Sequence, residues 1–200
     1  DVTVTADYIM TWASLKSAMQ NGGTFTLPYD ITATETDTYL YVPSGKTVTL
    51  DLNGHTINRN LTAAANNGYV IGVDGTLTIN DSSDPNTGSI TGGYNNDSGG
   101  GVYVSGSFTM NGGIISNNTA TYSVSGGGVY VNGNNGVFNM NGGTICNNKG
   151  NNGGGVFVGS SGNNRGVFTM TGGTISGNTG YSGGGVYNLG TFNISGNPVI

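Results

Sequence analysis

Phe108-Thr-Met-Asn-Gly-Gly, Phe138-Asn-Met-Asn-Gly-Gly and Phe168-Thr-Met-Thr-Gly-Gly begin thirty residues apart. Between them recurs a second phrase, three glycines and a valine followed by an aromatic ring, with its valine at Val102, Val129, Val156 and Val186. A unit this short cannot bury an apolar side by itself. A fixed period of this length therefore specifies stacked copies that share one continuous core. Composition enters only to exclude the competing reading: 39 glycines and 8% charged residues in 200 would suit a disordered tail. Against disorder, the apolar residues recur at fixed places, and a net charge of −5 is too low for a self-repelling chain.

Alternation within each repeat assigns faces. Side chains two apart share one face of a strand, so Phe108 and Met110 point inward while Thr109 and Asn111 point outward. By the same rule Val102 and Val104 point inward and Tyr103 outward. The interval from Phe to the next buried aliphatic residue is seven residues each time: 108 to 115, 138 to 145, 168 to 175, and 192 to Val199. Length variation is confined to the other two turns. Three short strands per repeat with glycine-rich corners predict a single-stranded parallel β-helix, an all-β solenoid in which like residues stack on themselves. Leu77-Thr-Ile79, Val48-Thr-Leu50 and Phe25-Thr-Leu27 extend the Phe and Met columns backward, giving about seven coils over residues 24–200. Asn118, Asn148 and Asn178 each follow the buried Ile by three residues, which predicts an asparagine ladder at one corner.

Residues 1–23 differ. Thr11 to Gln20 reads as one short helix with Trp12, Leu15 and Met19 along one face and Gly22-Gly23 as its stop, an N-terminal cap over the first coil. The sequence opens on Asp1 without a basic-apolar signal segment, which suggests a mature or trimmed start. At the other end Pro198-Val-Ile200 stops in mid-coil, an expected open edge that either continues into further coils or associates.

The run Leu50-Asp-Leu-Asn-Gly-His-Thr-Ile57, preceded by Val42-Pro-Ser-Gly-Lys46, resembles the opening coil of right-handed β-helix domains of the pectate-lyase-like superfamily. The Gly-Gly-Gly-Val-Tyr and Phe-Thr-Met-x-Gly-Gly-Thr-Ile-Ser units resemble repeats of large adhesin-like surface proteins of bacteria. The likeness covers nearly the whole chain. It implies a right-handed β-helix, and a function anywhere among lyases, hydrolases, adhesins and structural stalks.

Enzymes of that resemblance use clustered carboxylates, either to hold calcium or as the acid and base of glycoside cleavage. The acids here are Asp1, Asp7, Asp30, Glu35, Asp37, Asp51, Asp74, Asp81, Asp84 and Asp97, and from Ser98 to Ile200 there is not one carboxylate side chain. Asp81 and Asp84 sit in an insertion, with Asp97 at a later corner. They are the weak candidate cation ligands, calcium being the cofactor to consider, and ordinary turn chemistry is the favoured account of them. His55, the single histidine, has no evident partner and makes a poor general base. Cys146 aligns with Ser116 and Ser176 and reads as a small residue in an outward slot. Five Lys and Arg spread along the chain exclude a basic stripe for nucleic acid, and no run of eighteen apolar residues is present to span a membrane. Catalysis is not expected within these residues.

Two displays remain. Outward positions of the first strand form a file that includes Thr78, Asn80, Thr109, Asn111, Asn139, Asn141, Thr169 and Thr171. It reads as ordinary β-surface chemistry, or as an ice-binding plane whose lattice match Asp51 and the Thr/Asn mixture break. Tyr41, Tyr103, Tyr130, Phe157 and Tyr187, interrupted by Gly72, form an aromatic stripe suited either to sugar rings and partner surfaces or to self-stacking. The expectation is a non-catalytic, extracellular adhesin-like or structural module with a glycan or host surface as ligand. The alternative is a polysaccharide lyase or hydrolase whose active residues lie outside this segment.

Overall fold

The computed structural model describes residues 10–121 and 126–200, and in them the chain winds as an all-β parallel solenoid with one short N-terminal helix. Every turn contributes one strand to each of three parallel sheets. The first sheet stacks seven strands, Gly23–Thr26, Thr47–Asp51, Thr76–Asn80, Ser107–Met110, Val137–Met140, Val167–Met170 and Thr191–Ile194. The second runs from Ile31–Thr32 to Thr174–Ser176 and the third from Leu40–Val42 to Val186–Asn188, with six strands in each. Complete turns are therefore fewer than the about seven expected, because only the first sheet reaches that number.

Register places like over like. Phe108 pairs with Phe138, Phe138 with Phe168 and Phe168 with Phe192, and the rings stack at 4.9, 4.8 and 4.8 Å with interplanar angles of 5–6°. Met110, Met140 and Met170 form the adjoining inner column. Both columns are fully buried as far as Phe168 and Met170, and they join Val102, Val104 and Ile115 in one core. Such rungs lie about 4.8 Å apart, so each ring has a neighbour above and below at contact distance.

The asparagine ladder forms as the spacing predicts. Asn118 Nδ2 and backbone N–H both donate to Asn148 Oδ1 at 3.1 and 3.0 Å, and Asn148 repeats the pattern toward Asn178 at 3.0 and 3.0 Å. Each amide also caps a carbonyl of the preceding rung: Asn148 Nδ2 donates to Ile115 O at 2.9 Å and Asn178 Nδ2 to Ile145 O at 2.8 Å. Asn118 and Asn148 are essentially inaccessible, so these bonds stand where water cannot replace them. The triple glycine passes directly beside this ladder. A Cβ on Gly128 would lie 2.7 Å from Gly155 O, 2.9 Å from Ile145 Cγ2 and 3.0 Å from Asn148 Nδ2, which leaves no room for a side chain.

The helix spans Trp12–Asn21. Thr11 caps it: its side chain accepts from Ser14 N–H at 3.2 Å while Ser14 Oγ accepts from Thr11 N–H at 2.8 Å, a reciprocal box worth about 1 kcal/mol. Gly22 ends it at φ 85°. Trp12, Leu15 and Met19 are buried in the same core as the coils, and Trp12 Nε1 donates to Thr38 O at 2.7 Å. Beneath this lid lies Arg59, only 6% exposed, its guanidinium 5.8 Å from the Trp12 ring. Residues 1–9, including Asp1 and Asp7 of the expected cap, lie outside the described residues.

Two details of register differ from the sequence reading. Phe25 pairs with Leu50 and Gly23 with Val48, so the first strand is displaced by two residues and Phe25 heads the Met column rather than the Phe column. An even shift keeps the same faces inward. It is tolerated because the Phe25 ring packs over Gly23, 3.2 Å from where a Cβ there would be. In the last coil Val199 pairs with Thr174, not with Ile175, and is 58% exposed. The interval of seven thus fails by one residue at Pro198, and Val199 does not occupy the buried aliphatic place. Ile194, Val199 and Ile200 are each more than half exposed on this final turn. Among the described residues no helix is long and apolar enough to cross a membrane.

Candidate functional site

Several carboxylates are engaged in holding corners. Asp81 accepts from Gly54 N–H at 2.8 Å, Ser83 Oγ at 2.8 Å, Ser83 N–H at 3.3 Å and Gly88 N–H at 2.7 Å, closing its own insertion loop. Asp51 accepts from Asn53 and Ser82 N–H, both at 2.9 Å. Burial opposes the Asp51 charge, but the Ser82 and Asn53 bonds prevail and hold its carboxyl below the usual range. Asp74 accepts from the Tyr41 hydroxyl at 2.6 Å. Asp97 faces its own neighbour, Ser98 Oγ, at 3.3 Å. No group of three His, Cys, Asp or Glu side chains converges among the described residues, so Asp81, Asp84 and Asp97 are not brought together as a cation cage.

His55 has a partner, contrary to the sequence reading. Its Nδ1 lies 3.4 Å from Asp30 Oδ1, and Asp30 also accepts from Thr56 N–H at 2.9 Å, tying the first coil to the second. The spacing could not reveal this pair, because the two residues sit at corners that only the winding superimposes. Cys146 pairs with Ser116 and Ser176 as expected, and burial pushes its thiol pKa up, away from a reactive thiolate.

The polar file exists, and one of its two columns is bonded along the axis. Thr78, Thr109, Asn139 and Thr169 stack in register. In the next file Asn111 Nδ2 donates to Asn80 Oδ1 at 2.9 Å, Asn141 Nδ2 to Asn111 Oδ1 at 2.9 Å, and Thr171 Oγ1 to Asn141 Oδ1 at 3.0 Å. Asn80, Asn111, Asn141 and Thr171 thus hold one another in line along the axis.

The aromatic stripe is longer than the sequence indicated, and less accessible. Tyr69 stacks on Tyr103 at 5.6 Å and packs against Tyr39 at 4.5 Å, filling the gap at Gly72, whose added Cβ would meet the Tyr69 ring at 3.0 Å. Tyr103, Tyr130, Phe157 and Tyr187 continue the stack at 5.2, 5.2 and 5.7 Å with interplanar angles of 0–15°. Tyr41 stands beside it, edge-on to Tyr39 at 6.0 Å. Between the ends of the stack, ring faces are covered by neighbouring rings and only edges meet solvent. Phe157 is a correction to the expected display: it is 1% exposed, with rings on both faces and the Ser160–Arg165 hairpin beginning beside it at Gly159. Burial also raises the pKa of the Tyr69 and Tyr130 hydroxyls.

A further feature escaped the sequence reading. After the second sheet the chain forms a fourth, narrow ladder in which Tyr94 pairs with Thr119, Thr119 with Lys149 and Lys149 with Thr179. With Tyr181, 92% exposed, these residues line an open trough of about 330 Å³. For Thr119, Lys149 and Thr179 the common signal was position, one residue after Asn118, Asn148 and Asn178; Lys149 breaks the Thr repeat, and Tyr94 and Tyr181 carry no such mark. Tyr94 and Tyr181 take no part in the aromatic stack, and their rings border the trough.

No family model, curated protein or solved structure matches this chain.

Proposed function

We propose that this solenoid is a non-catalytic, extracellular, adhesin-like module of a bacterial surface protein that binds glycans. The observation that carries the reading is the trough between Tyr94 and Tyr181. It joins two aromatic side chains outside the stack to threonine hydroxyls, a combination suited to the apolar faces and hydroxyl rims of sugars. Two facts support the non-catalytic part. Side-chain carboxylates are absent from Ser98 onward, and the best-placed acid of the first half, Asp81, is consumed by four donors of its own loop and the preceding corner. The self-stacked stripe then serves chiefly as scaffold, its rings stabilising the coil edge.

A glycan array probed with the wild-type chain and with Tyr181→Ala tests this directly. Binding to a restricted set of glycans, weakened by the substitution, is the expected result. Release of unsaturated uronate from a polysaccharide with calcium present would instead establish the lyase reading. Thermal hysteresis would point to the Thr/Asn file as an ice-binding surface.

A further inference from the structure

Taking the trough as a glycan site, we infer that its ligand carries a sulfate ester, seated on the Lys149 ammonium. Lys149 occupies the middle rung, with Thr119 on one side and Thr179 on the other, and its side chain is exposed. Rungs about 4.8 Å apart set these three groups in line, a spacing comparable with one pyranose unit. Tyr94 heads the line on the Thr119 side, and Tyr181 also lines the trough.

Charge complementarity fixes the sign of the ligand. All ten acidic residues precede Ser98, whereas Lys149 and Arg165 are the charged side chains that follow it. The one ion pair among the described residues, His55 with Asp30, lies at the opposite end of the winding. No ion pair among the described residues engages Lys149, and its charge is left to favour an anion.

A guanidinium presents a planar fork that grips carboxylate and phosphate oxygens alike, and no arginine lines the trough. An ammonium is a point charge that takes oxygens from any direction. A sulfate ester offers three equivalent oxygens, stays ionised at every physiological pH and is weakly hydrated, so it loses little on leaving water. Thr119 and Thr179 hydroxyls can donate to its remaining oxygens or to the flanking sugar.

Titration calorimetry at low ionic strength tests this with three probes: 6-sulfated N-acetyllactosamine, the same disaccharide without sulfate, and trigalacturonate. The sulfated probe should bind about fivefold tighter than its desulfated form, with the advantage shrinking as salt rises. Lys149→Gln should abolish the difference, and Lys46→Gln, a lysine outside the trough, should leave it intact. Lys149 is exposed, and an unchanged near-ultraviolet circular dichroism spectrum checks that the variant is folded. Equal binding of the sulfated and desulfated probes, tighter binding of trigalacturonate, or a sulfate preference that survives Lys149→Gln would each overturn the inference. In those cases array binding sensitive to Tyr181→Ala would still uphold the glycan reading. Array binding that ignores Tyr181, or none at all, would defeat that reading itself.

Discussion

Two asparagine files run along this solenoid with nearly the same hydrogen-bond geometry. In the corner file Asn118, Asn148 and Asn178 are linked at 3.0–3.1 Å; in the sheet file Asn80, Asn111 and Asn141 are linked at 2.9 Å. They differ in surroundings. Asn118 and Asn148 are buried and also bond backbone groups of the turn, whereas Asn111 and Asn141 face solvent. A buried donor or acceptor stripped of its partner loses its full solvation, while an exposed one finds water. The contrast teaches that stacking identical residues stabilises a coil in proportion to what the stack excludes from water.

The largest expected effect sets the scale for that contrast. Phe138→Ala removes a fully buried ring stacked on both faces and should cost about 3–5 kcal/mol in chemical denaturation. Next comes Asn148→Ala, which takes the acceptor from Asn118 N–H and a donor from Ile115 C=O, for about 2–4 kcal/mol. A smaller effect is lost only in alkali. The hydrogen bond to Asp74, with burial and the Asp74 charge adding to it, pushes the Tyr41 hydroxyl up to about 12. The folded state then holds that proton after the unfolded chain has lost its own. Wild type should consequently hold the full benefit of the Asp74 bond at neutral pH and lose it as pH rises from about 10 toward 12, so that its stability falls faster than that of Tyr41→Phe over that range. Smallest of all, Asn141→Ala should change stability by less than about 0.5 kcal/mol. Equal losses for Asn148→Ala and Asn141→Ala would break the comparison, because the bonds along the axis, not burial, would then dominate.

What could be read in the sequence follows the same division. The Phe and Met columns and the corner asparagines were legible because a tight, buried turn tolerates no change of length or residue: the interval of seven and the offset of three scarcely vary. Where solvent or space relaxes the constraint, the letters stop reporting the position. Tyr69 completes the aromatic stack from a turn three residues before the gap at Gly72, a replacement in space that no alignment of strands shows. Phe25 keeps its face and Val199 does not, and both depart from the expected register at the two ends, where one side of the coil has no regular neighbour. The trough was hidden for a different reason. Tyr94 and Lys149 interrupt the threonines of their ladder, Thr119 and Thr179, and a search for repetition passes over them. In a repeat protein the residues that break the repeat are the better candidates for function.

Spin labels test the winding most directly, using the single cysteine already present. Cys146 and Ser176 are register partners on adjacent rungs, thirty residues apart in sequence. With nitroxides on Cys146 and on Ser176→Cys, the doubly labelled chain should show strong dipolar broadening relative to the sum of its single labels, as expected for backbones about 5 Å apart. A double-label spectrum identical to that sum would contradict like-over-like stacking, and the solenoid with it.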